Sequence, residues 1–144
     1  MFNAGYRLAV AALLMLSASA SVAQGEYGQT VPPDARAGDL TLAPCQVYLE
    51  GDDRDYDADC GTLVVAENRN KPDSRLIALP VWRIKATSAD PLQPIFWLEG
   101  GPGHANEAIY PSDGLLERHD FVVVGYRGVE GQVVLECPEV GDAI

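Results

Sequence analysis

Residues 95–103, Ile-Phe-Trp-Leu-Glu-Gly-Gly-Pro-Gly, constrain this chain more than any other stretch. An apolar run from Ile95 to Leu98 stops at Glu99 and passes into Gly100-Gly101-Pro102-Gly103. A run of that kind, bounded by glycine and proline, reads as a buried strand that ends in a backbone-baring loop. Glycine admits positive φ and lets a ligand approach the main chain, whereas Pro102 fixes one dihedral and has no N–H to donate. Open α/β sheets build ligand and anion sites in loops at the carboxyl ends of their strands. Glycine and proline also fill ordinary turns that carry no chemistry, so the loop by itself leaves both readings open.

A second continuous apolar run, Phe121-Val122-Val123-Val124, ends in Gly125-Tyr126-Arg127-Gly128. Apolar runs without alternation belong to strands covered on both faces, as in a parallel sheet. Between the two runs, residues 105–110 and 112–118 are short helical candidates separated by Pro111. Ser112 is placed to cap the second, and Gly114 weakens it. Strand, loop with helix, and strand together make a right-handed crossover. Upstream, residues 62–68 and 75–85 read as two strands joined by turn residues 70–74, an antiparallel hairpin. Pro80 inside the second of these favours a sheet edge or a bulge, and the mixed polar surface of the hairpin also suits an edge. The expected fold class is α/β: an antiparallel hairpin followed by a parallel strand-loop/helix-strand unit.

The start of the chain has the form of an export signal. Arg7 precedes the apolar run Leu8–Leu16, and Ser21-Val22-Ala23 offers a small-x-small cleavage site before Gln24. The run is too short to span a bilayer. Residues 1–23 are therefore set aside as a signal peptide, 24–60 as an extended, irregular, cysteine-flanked segment, and 61–144 as a partial domain of the α/β class. With 21 acidic against 10 basic residues the net charge is −11, and losing Arg7 makes the product more acidic still. Such a chain is a poor partner for nucleic acid or an anionic membrane. Much of the acid lies in residues 50–59, where Asp52, Asp53, Asp55, Asp57 and Asp59 alternate with other residues. Counted from Asp53, the patch lacks the glycine and glutamate that a calcium-binding EF-hand loop needs. It reads as a solvated acidic loop, and no metal is expected there.

Three cysteines in an exported chain are counted as disulfide partners. Cys45 and Cys60 flank the acidic patch and are expected to pair, leaving Cys137 unpaired. Closing a loop of that size stabilises the fold by about 3 kcal/mol in the chain-entropy account. The absence of any Cys-x-x-Cys pair gives a redox or zinc site little support.

Four segments in order carry a resemblance: Cys60–Asn68, Ile95–Gly103, Asp120–Gly128 and Leu135–Glu139. Together they resemble the amino-terminal part of an α/β-hydrolase of the proline iminopeptidase and tripeptidyl aminopeptidase-like branch, over roughly residues 45–140. The resemblance implies an exported serine hydrolase acting on a peptide or a small ester or amide, without a cofactor. In that family the Gly-Gly-Pro-Gly loop helps form the oxyanion hole, with a second donor from the residue after the nucleophile. The carry-over reaches Gly100, Gly101 and Gly103, with Glu99 and His104 as substrate-proximal residues.

Departures from the family pattern are equally informative. Glu99 stands where the family has His, setting a carboxylate beside a loop meant to hold negative charge. It either points away into solvent, which we favour, or is partly neutral, or meets a cationic group of the substrate. Gly125 and Tyr126 replace the usual Asp and its neighbour. The nucleophile of the family sits in a Gly-x-Ser-x-Gly elbow, and no such pentapeptide occurs in the chain. Ser112 is the nearest approach and lacks the first glycine. The catalytic Ser, acid and His are thus all expected after Ile144, the chain being an incomplete amino-terminal fragment. His104 and His119 read as loop and strand-flanking residues. In the family's sheet, the strand at 95–98 lies beside the nucleophile strand; without that neighbour it becomes an open edge. The competing reading is a small exported binding protein that uses the hairpin, the acidic patch or the glycine loop.

Overall fold

The computed structural model describes residues 27–49, 53–101, 103–106, 114–136 and 138–141. Five strands form one sheet: β1 (Leu40–Leu49), β2 (Arg54–Ala66), β3 (Leu76–Ile84), β4 (Leu92–Trp97) and β5 (His119–Val124). Their order across the sheet is β1-β2-β3-β5-β4. Neighbours are antiparallel except β4 and β5, which run parallel. The described helices are two single turns, α1 (Leu115–Arg118) and α2 (Pro138–Gly141).

This overturns the expected α/β class. Parallel sheets are covered by helices on both faces, yet here one parallel pair sits at the end of a mostly antiparallel sheet with almost no helix among the described residues. The continuous apolar run of β4 is correspondingly not covered on both faces. Phe96 is 65% exposed and Leu98, just past the strand, 73%, while Ile95 and Trp97 pack inward against the core. The run is apolar enough for a central strand, but β4 occupies the sheet edge. Of the helical candidates, residues 107–113 (Ser112 included) lie outside the described residues, and Gly114 rather than a serine precedes α1.

The hairpin of residues 62–68 and 75–85 is present, as β2 and β3, with Thr62 opposite Pro80. It is not at an edge: β3 lies mid-sheet and is the most buried strand. Pro80 is tolerated there because β3–β5 pairing begins only at Val81. Its carbonyl still accepts the Gly125 N–H at 2.9 Å, so the side without a donor faces the end of the ladder.

The segment read as irregular up to Cys60 is also sheet. Residues 40–49 and 54–63 pair over ten antiparallel positions. Asp55, Asp57 and Asp59 project to one side of β2, and the buried Tyr56, Ala58 and Cys60 to the other. The acidic patch is therefore largely a strand face with a period of two. Its carboxylates are held separately: Asp57 accepts from Gln46, Asp59 from Lys85 at 2.8 Å, and Asp53 from the Tyr48 hydroxyl. The Cys45–Cys60 disulfide is present, joining β1 to β2 with Cα atoms 5.8 Å apart. It lies on the face where Val47, Tyr56, Trp82, Ile84, Leu116, Phe121 and Val123 form the core. The signal segment, Cys137, and Ile144, after which the catalytic Ser, acid and His are expected, lie outside the described residues. Among the described residues, no helix is long and apolar enough to cross a membrane.

Candidate functional site

The end of β4 lies beside the end of β5 because Phe96 and Trp97 pair in parallel with Val122 and Val123. Both strands therefore deliver their outgoing loops to one end of the sheet. Glu99, Gly100, Gly101, Gly103 and His104 all stand in the loop that leaves β4, and Tyr126–Gly131 in the turn that leaves β5.

Asn106 fastens these two loops together. It is fully buried. Its Nδ2 donates to the Trp97 carbonyl at 3.1 Å and to the Val124 carbonyl at 3.0 Å, bridging the last residues of the parallel pair. Its Oδ1 accepts the Glu99 N–H at 2.7 Å. Its own N–H donates to Glu130 Oε2 at 2.7 Å, the same oxygen that accepts the Tyr126 N–H at 2.9 Å. Tyr126 completes the frame by donating its hydroxyl to the Glu99 carbonyl at 2.7 Å. Glu99 is thus held by its main chain on both sides, and its side chain forms no hydrogen bond or ion pair among the described residues.

Beyond this clamp the loop turns outward. Gly101 has φ +121°, a conformation that side chains with a Cβ rarely adopt. Its carbonyl accepts the His104 N–H at 3.2 Å, and the His104 ring lies where a Cβ on Gly101 would approach to 3.2 Å. Gly100, Gly101 and Gly103 are exposed residues, and their N–H groups donate to no acceptor among the described residues. Main-chain donors without acceptors among the described residues, on a braced loop, can receive an oxyanion or any other acceptor. Pro102 lies outside the described residues.

The turn after β5 is built to close on the sheet. A Cβ at Gly125 would lie 2.7 Å from the Pro80 ring, so this position is fixed as glycine by its neighbour in β3. Arg127 Nη1 donates to the carbonyls of Ala66 at 2.7 Å and Glu67 at 3.1 Å, tying the turn to the end of β2. Burial, followed by the nearby Arg69 charge, holds the Arg127 pKa below its ordinary value. Glu130 is buried, and its Oε1 has no partner among the described residues.

At the opposite end of β5, Asp120 is buried and accepts from Arg83 Nε at 2.8 Å and from the Ala86 N–H at 2.9 Å. Burial alone would raise its pKa. The Ala86 N–H and the Arg83 guanidinium outweigh that and hold the carboxyl below the usual carboxylate range. His119 opens β5, with Nδ1 2.7 Å from the Gln93 carbonyl, and takes no part in the glycine loop.

Sequence reasoning placed the glycine loop but missed Asn106, Tyr126 and Glu130 as its support. An Asn three residues past the last loop glycine, and a Glu between Val129 and Gly131, carry no local signal. Their roles exist only across separations of up to 27 residues. Among the described residues no three His, Cys, Asp or Glu side chains converge as metal ligands would. No protein-family model and no curated protein matches the chain.

Proposed function

We propose that this chain carries the charge-stabilising loop of an exported serine hydrolase of the aminopeptidase-like kind, acting on a peptide or a small ester or amide in the periplasm or outside the cell. One observation carries the reading: three exposed glycine amides without acceptors among the described residues, on a loop whose base is clamped by Asn106 and Tyr126. The donors are arranged before any substrate arrives, so little reorganisation opposes their use at the moment charge develops. Removing one such donor from an acyl-transfer enzyme costs about 3 kcal/mol of transition-state stabilisation.

In this mechanism a serine hydroxyl, deprotonated by a histidine, attacks the substrate carbonyl. The carbonyl oxygen takes up the negative charge and is received by the N–H of one or more of Gly100, Gly101 and Gly103, with a second donor following the nucleophile. The sequence holds no Gly-x-Ser-x-Gly elbow, so this reading takes the serine from outside these 144 residues. The Glu99 carboxylate makes no hydrogen bond among the described residues and so can meet the amino terminus of a peptide. The Cys45–Cys60 disulfide suits an oxidising compartment.

The test is to isolate the native gene product with an antibody against this sequence, treat it with a fluorophosphonate, and map the modified residue by peptide mass spectrometry. Modification of a serine absent from these 144 residues is expected. Modification of Ser112 or any other serine of the sequence, or no modification at all, contradicts the proposal.

A further inference from the structure

Away from the glycine loop, the turn between β2 and β3 and the Arg127 turn enclose an open cleft of about 750 Å³. The chain has only 10 lysines and arginines against 21 acids, yet Arg69, Lys71, Arg75 and Arg127 all line this one cleft. Glu67 and Asp73 are its acids. Arg75 is spent on Glu67, donating from Nε at 2.7 Å and pairing again through Nη2. That leaves Arg69, Lys71 and Arg127 facing a single carboxylate, Asp73.

Among the described residues those three cations form no ion pair. Arg127 is anchored by neutral carbonyls alone, and the side chains of Arg69 and Lys71 make no ion pair or hydrogen bond among the described residues. Arg69 also acts on Arg127 as a like charge, which disfavours the charged form of a guanidinium already partly withdrawn from water. Holding like charges together in this way costs free energy that a bound anion would offset.

The cleft is also braced. The Asn68 N–H donates to Ser74 Oγ at 2.9 Å, and the Asn70 N–H to Asn68 Oδ1 at 2.9 Å. The Lys71 N–H reaches the Asn68 carbonyl, and the Ser74 N–H the Lys71 carbonyl, both at 3.2 Å. The turn that bears Arg69 and Lys71 is therefore ordered by its own hydrogen bonds. Arg127 approaches from a different part of the chain and is fixed to the end of β2.

We infer that this cleft binds the oxyanion group, phosphate or carboxylate, of a small ligand, with Arg69, Lys71 and Arg127 as its donors. Guanidinium groups match both anions through paired N–H donors, and lysine adds a point charge. The cleft is larger than a bare anion, so the recognised group is the charged end of a bigger molecule. The inference does not depend on the hydrolase reading, because none of its donors lies in the glycine loop.

The test is calorimetric titration of the full chain with sodium phosphate and, in a separate arm, sodium acetate, in an amine buffer of low and constant ionic strength. Wild type and the control R36Q, whose altered side chain lies outside the cleft, are expected to bind one anion per chain saturably. R69Q/K71Q removes two charge-assisted contacts and is expected to weaken binding about tenfold or more. Both changed side chains are exposed, so the double variant should melt like wild type; K71Q alone serves if it does not. Tighter phosphate than acetate identifies a tetrahedral anion, and the reverse a carboxylate. No saturable binding in either arm, or equal affinity in R69Q/K71Q and wild type, overturns the inference.

Discussion

Replacing Asn106 by alanine tests whether the glycine loop is held as described. The substitution deletes three side-chain hydrogen bonds, to Trp97, Val124 and Glu99. It takes these bonds from two carbonyls and one N–H at a site where Asn106 itself is fully buried. At about 1 kcal/mol net for each bond, the loss is about 3 kcal/mol, and water entering the vacated space would recover part of it. That is a large share of the roughly 5–15 kcal/mol that holds a typical domain together. Urea unfolding followed by circular dichroism would read the global loss as a lowered midpoint. Native-state hydrogen exchange reads the local one: the Glu99 amide, protected by Asn106 Oδ1, should exchange much faster, while amides at the β1–β2 end should follow only the global change. A stability within about 0.5 kcal/mol of wild type, together with an unchanged Glu99 exchange rate, would refute the clamp.

Three further outcomes follow from other parts of the fold. Asp120 has a lowered pKa in the folded state, so its contribution is complete above the unfolded value of about 3.9 and is lost as pH falls through the folded value. Urea midpoints should therefore drop on the acid side of about pH 4, less steeply in Asp120→Asn, and parallel acid limbs would contradict the assignment. The double substitution Cys45→Ser, Cys60→Ser opens a link with a sequence separation of 15; it should cost about 3 kcal/mol in urea unfolding, and an unchanged midpoint would count against it. An open apolar edge strand is expected to drive association; Phe96→Lys places a charge on the exposed edge strand β4 and in sedimentation velocity should make the chain more monomeric than wild type, and equal sedimentation would contradict this.

The parts of the fold that were legible in the sequence are those fixed by local chemistry. Residues 70–74 marked the turn between β2 and β3, the valine run marked β5, and Gly100–Gly103 marked the exposed loop after β4. The Cys45–Cys60 pairing followed from counting cysteines under the expectation of export. What failed was the inference from apolarity to environment. Ile95–Leu98 is as apolar as a strand covered on both faces, but coverage is set by which strands and helices lie beside it. The Asp53–Asp59 patch was misread for the opposite reason, since its charge drew attention away from its period. Tyr56, Ala58 and Cys60 alternate with the aspartates and announce a half-buried strand. Pro80 suggested an edge because its place at the end of the β3–β5 ladder depends on Gly125, 45 positions later. The Asn106–Glu130–Tyr126 support of the loop is likewise a tertiary fact, with no periodicity to reveal it.

The central claim is that the glycine loop receives negative charge from a serine-bound intermediate. A crystal structure of the native gene product inhibited with a phosphonate measures this directly. The account places the phosphonyl oxygen about 3 Å from an amide nitrogen of Gly100, Gly101 or Gly103. A phosphonyl oxygen bound elsewhere, with those amides facing solvent, would contradict it.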